Sequence, residues 1–137
     1  MRRFFTYSTA VLLIIAFSPL SQVLAKDLCV EDNNGSIFIF KNVKPLKNPG
    51  QFSPLDGIWI APTGSNSGPF HGAAYVRHNG TIDMGFFVHN NIVGANWTAQ
   101  LRGSTFETAS GVSQDEGGPT VSMTFVSPVD CKSISLP

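Results

Sequence analysis

Charged side chains make up only 13% of the 137 residues, and the chain has three histidines and two cysteines. From Lys26 onward seven Lys and Arg stand against nine Asp and Glu, a net charge of −2. A chain so weakly charged lacks the basic footprint that nucleic acid or an anionic membrane surface requires. Lys41, Lys44 and Lys47 form the one basic cluster, and three lysines in a proline-containing loop read as a solvated face. His71, His78 and His89 fall too far apart on one strand pair to share a metal, and the cysteines have no histidine beside them for a zinc site. The Gly-x-Ser-x-Gly elbow of a serine nucleophile is missing. Asp83 reads as part of a solvated strand face and Asp115-Glu116 as a wet loop, so no carboxylate pair suited to glycoside cleavage emerges. The glycines follow no phosphate-cradling order and read as turn residues. Neither catalysis nor a metal or cofactor is expected.

What is present begins with residues 1–25, where a basic start at Arg2-Arg3 precedes an apolar run ending near Phe17 and a small-residue end at Ala25. That order is a secretory signal peptide, and its apolar core is shorter than the roughly 20 residues of a membrane span. Cleavage before Lys26 leaves one domain, 26–137, with no stable membrane anchor, secreted or periplasmic; the compact leader has a bacterial look. Cys29 and Cys131 sit near the two ends of that domain, and an even cysteine count in an exported chain favours a disulfide. Such a bond would tie the termini together. Asn34, Asn79 and Asn96 each open a formal glycosylation sequon, relevant only in a eukaryotic source.

No stretch after Lys26 sustains a helical period. Short runs rich in Ile, Val, Phe, Thr and Tyr are cut by Gly, Pro and Asn, the pattern of an all-β domain. Strands are expected at 36–40, 57–61, 70–78, 81–89, 96–102, 105–112, 119–126 and 131–136, with 41–54 as a proline-marked connecting arm. Asn79-Gly80 predicts a type I′ hairpin. That turn pairs Val76 with Asp83, Tyr75 with Met84 and His71 with Val88, so His71 and Tyr75 would face inward. Alternation places Ile82, Met84, Phe86 and Val88 on one inner face, with Trp97, Ala99 and Leu101, and Val121, Met123 and Phe125, on others. A meander of seven or eight strands must close or leave two raw edges. The fold expected is a small antiparallel up-and-down β-barrel, with an open β-sandwich as the alternative.

Within such a barrel Trp59, Tyr75, Met84, Phe86 and Trp97 could wall a ligand pocket, with His71 as its polar contact. Phe87, on the opposite face from Phe86, is either covered by the 41–54 arm or exposed as a patch, and coverage by the arm is expected. The partner is then a small apolar molecule or another exported protein, bound by a monomer. Leu55-Asp56-Gly57-Ile58-Trp59, a Gly-x-Trp opening a strand ahead of a meander, resembles the first barrel strand of the calycin group, which includes lipocalins and avidins. The resemblance implies that Trp59 closes the barrel floor. The domain is also similar to the small periplasmic inhibitors of secreted metalloproteases, which share a barrel, one disulfide and an inhibitory arm; 41–54 would be the analogue. A hydrolase with an unrecognised site is the remaining alternative.

Overall fold

The computed structural model describes residues 26–90 and 96–136. The leader expected at 1–25 lies outside the described residues. Eight strands follow in order: β1 (Lys26–Asp32), β2 (Ile37–Val43), β3 (Phe52–Ile60), β4 (Ser67–Val76), β5 (Ile82–Val88), β6 (Trp97–Gly103), β7 (Ser110–Asp115) and β8 (Thr120–Val129). Each pairs antiparallel with the next, and β1 pairs with β8, so the sheet is a closed up-and-down barrel rather than a sandwich. Closure leaves no strand edge to template association.

The closing strand is not the expected one. Residues 131–136 hold a single 3-10 turn, Cys131–Ser133, and an extended tail, while β1 supplies the eighth strand. The β1–β2 hairpin turns through Asn34-Gly35, with Asp32 N donating to Ser36 O, Gly35 N donating to Asp32 O, and Gly35 at φ 81°. The buried Asp32 carboxylate accepts from the backbone N–H groups of Asn34 and Ser36 at 2.9 and 2.8 Å. This caps amides that would otherwise be unsatisfied at the turn.

The same backbone pattern recurs at the second Asn-Gly pair and corrects the predicted register. Arg77 N donates to Thr81 O and Gly80 N to Arg77 O, and Gly80 but not Asn79 has positive φ. The turn is therefore a three-residue loop, a type I turn followed by a left-handed glycine, and not the two-residue type I′ form. One added loop residue moves the pairing by one position, to Val76 with Ile82, Tyr75 with Asp83, Ala74 with Met84 and His71 with Phe87. Because side chains alternate faces, the slip turns His71 and Tyr75 outward.

Inside the barrel the alternation on β5 holds, with Ile82, Met84, Phe86 and Val88 all buried, as are Ala99, Leu101, Met123 and Phe125; Val121 is exposed. Phe38, Phe40, Phe70, Phe86 and Phe125 meet along the axis with ring centroids 4.9–6.5 Å apart. Room for these rings comes from glycines on the inner face. A Cβ on Gly57 would lie 2.4 Å from Phe70 Cζ, and one on Gly72 would lie 2.6 Å from Phe86 Cβ. They are packing residues, not the turn glycines that the sequence suggests.

Trp59 packs edge-on against Trp97 at 5.7 Å at one end of the barrel. Towards the other end lie Leu28, Val43 and Leu46, packed against the core, with Phe106 buried. Phe106 belongs to a 3-10 turn, Phe106–Thr108, so the strand expected from 105 begins only at Ser110. A second apolar cluster sits outside the barrel, where Ile134 and the Cys29–Cys131 disulfide pack on Ile39 and Ile60. The disulfide thus fixes the tail beside the β1–β8 seam.

Candidate functional site

Of the six residues predicted to line a pocket, the structure brings four together. Trp59, Met84 and Phe86 are buried and Trp97 is half-buried, all in one core cluster that includes the phenylalanine rings. His71 and Tyr75 lie outside it. His71 Nδ1 bonds Asp56 Oδ1 at 2.6 Å, with both side chains more than 60% exposed. The four interior residues are walls of a packed core.

The 41–54 arm is also resolved into parts. β2 runs on through Val43 and β3 starts at Phe52, so only 44–51 connects them. Gln51 folds this connector on itself, accepting from Lys47 N at 3.0 Å and Asn48 N at 3.3 Å and donating to Pro45 O at 3.0 Å. Backbone bonds of Gly50 and Gln51 to Val76 anchor it beside the end of β4. It does not cover Phe87, which is 38% exposed and stacks edge-on against His89 at 4.7 Å.

The outward register of β4 to β7 builds a different feature. Across the strands Tyr75 faces Asp83, Asp83 faces Arg102, and Arg102 faces Ser110; one step along, Ala73 faces Gly85, Gly85 faces Gln100, and Gln100 faces Val112. Ala73 and Gly85 are the small members of the second row, and a trench of about 630 Å³ opens across both rows beside them. Asp83 stands between two guanidiniums: Arg77 Nε bonds its Oδ2, and Arg102 Nε bonds its Oδ1 at 2.5 Å. The hydrogen bond from Arg102, reinforced by Arg77, holds the Asp83 carboxyl below its ordinary pKa of 3.8 against the opposing effect of desolvation. Three exposed aromatics flank the region: Phe52 at 65%, Tyr75 at 41% and Phe87 at 38%.

A depressed carboxyl pKa in the folded state means that the unfolded chain binds more protons near pH 3.8, so this contribution to stability is present above that pH. It is lost as pH falls through the lower folded value. Thermal unfolding of the wild type and Asp83→Asn, followed from pH 6 to pH 2, is expected to give a gap in Tm that shrinks below pH 3.8. A gap independent of pH would mean that Asp83 acts by shape alone.

A second depression, about 990 Å³, opens at the barrel end between Leu28, Val43, Leu46, Phe106 and the disulfide. Among the described residues no group of three or more His, Cys, Asp or Glu is placed to hold a metal ion. No helix among them is long and apolar enough to cross a membrane. The disulfide is compatible with a periplasmic or extracellular location. Comparison of the chain with protein-family models, curated proteins and solved structures yields no match.

Proposed function

We propose that this protein is an exported, non-catalytic binding module that acts through its outer surface on another exported molecule. The filled interior carries this reading. Rings 4.9–6.5 Å apart are in mutual contact, which leaves binding to the loops and the outward faces of the strands. The secretory leader and the Cys29–Cys131 bond support an oxidising compartment as the place of action. The exposed aromatics Phe52, Tyr75 and Phe87 are the side-chain type that dominates contact energies at recognition surfaces.

Benzoylphenylalanine placed at Tyr75, in protein exported by its native source, is expected to give a photo-adduct with a discrete molecule. The same substitution at Val126, an exposed residue of β8, is expected to give none. Equal labelling at both positions, or a stoichiometric molecule that quenches Trp59 and Trp97 from inside the barrel, would overturn the reading. The depression at the barrel end, where Leu28, Val43, Leu46 and Phe106 lie among charged residues such as Lys26, Lys44 and Lys132, supports a second reading, an amphipathic small molecule seated against Leu46. A ligand displaced by Leu46→Lys and untouched by changes at Tyr75 would select it.

A further inference from the structure

We propose that the trench over β4 to β7 binds a carboxylate-bearing sugar chain; this rests on the outer-surface reading above and names its ligand. Gly85 is the first observation. It sits in mid-strand and points outward, and a Cβ there would meet only Ala99 O at 3.7 Å, an ordinary contact. A larger residue would fit the barrel and would favour the strand, since glycine weakens strand interiors. Packing therefore does not call for the glycine, whereas an object lying across the strand at that point does.

Charge is the second observation. Arg77 and Arg102 outnumber Asp83, so the cluster carries +1 on a domain whose net charge is −2. Asp83 takes one N–H from Arg77 and two from Arg102 out of the five on each guanidinium, and both arginines are about half exposed. Asp83 thus holds the inner edge of both guanidiniums and leaves each its outer Nη edge, whose N–H groups can take a second carboxylate end-on.

The remaining lining decides the class of anion. Tyr75 offers a flat apolar ring next to the arginines, and Gln100 and Ser110 offer groups that both donate and accept, matching the hydroxyls of a sugar rim. Four strands at about 4.8 Å spacing give a trench of roughly 14 Å, the span of a few sugar rings. An acidic peptide would gain most by adding a strand, and every strand of this barrel is already paired on both sides.

Calorimetric titration with oligogalacturonate tests the proposal, with three comparison probes: its carboxyl-reduced counterpart, polyglutamate of equal charge, and vesicles containing anionic lipid. The acidic sugar is expected to bind, and the reduced sugar and polyglutamate at least about tenfold more weakly. Arg102→Gln and Tyr75→Ala are expected to weaken binding by about tenfold or more. Gly85→Val is expected to abolish it while the Tm stays level or rises, which separates a blocked floor from a damaged fold. Failure of the folded protein to bind the acidic sugar at millimolar concentration, equal binding of polyglutamate, or binding to vesicles alone would overturn the proposal. A discrete photo-adduct at Tyr75 in any of those cases would leave the outer-surface reading standing with a different ligand.

Discussion

Replacing both Cys29 and Cys131 with serine is expected to lower the unfolding free energy by about 4–5 kcal/mol, the unfolded-state entropy removed by closing a loop of roughly 100 residues. The bond spans 102 residues of sequence. Total stabilities of single domains run at about 5–15 kcal/mol, so the loss takes about a quarter or more of the reserve and shifts Tm by roughly 15–25 °C. Structure adds a second consequence. Cys29 pairs with Val129 across the β1–β8 seam, and Cys131 anchors the tail whose Ile134 covers Ile39 and Ile60. Freed of the bond, the tail uncovers apolar surface and the seam becomes the weakest ladder, inviting edge-to-edge association. Urea unfolding of the double variant and of Ile134→Ala separates the two effects, because the latter loses tail packing with the clasp intact. A double variant within about 1 kcal/mol of wild type would refute the clasp as the main staple.

The barrel was legible because its signals are local and repeated. Ile82, Met84, Phe86 and Val88 alternate without interruption, and such a stretch can only be a strand with one face in a core. β1 was harder to read. Asp27, Glu31 and Asp32 flank only Leu28, Cys29 and Val30 between them, which hides a short strand whose hydrogen bonds are contributed by β2 and β8. The signal that could have revealed it is Asn34-Gly35, the same dipeptide that marks the β4–β5 turn, lying between the apolar runs 28–30 and 37–40.

The site was less legible for a physical reason. Asn-Gly suits both a two-residue and a three-residue hairpin loop, and these differ by one step of register. One step exchanges the faces, so His71 and Tyr75 move from a supposed pocket to the surface while every inner residue of β5 stays where alternation puts it. Asp83 reads as an ordinary solvated residue in isolation, and nothing local in the sequence sets Arg77 or Arg102 apart. Only the cross-strand pairs Tyr75 with Asp83 and Asp83 with Arg102 assemble them, and those pairs depend on turns whose loop length composition does not fix.

Truncating Phe38 to alanine is expected to cost about 3–5 kcal/mol, and the size of that cost decides whether the interior is a core or a lumen. Phe38 is fully buried, with its ring centroid 5.3–6.5 Å from those of Phe40, Phe70, Phe86, Trp97 and Phe125. In a hollow barrel the change would forfeit little beyond the transfer free energy of one side chain, about 1.5–3 kcal/mol. In a packed one the cavity term adds to it, because neighbouring rings held by the strands cannot collapse into the gap. Urea denaturation gives the cost, and benzene binding gives an independent answer. A dry cavity lined by aromatic and aliphatic side chains accepts such a molecule, so Phe38→Ala is expected to gain saturable benzene binding that the wild type lacks. Should the wild type already bind benzene, with the variant losing under about 2 kcal/mol, the interior would be a ligand chamber and the outer faces would no longer be the natural place to look for function.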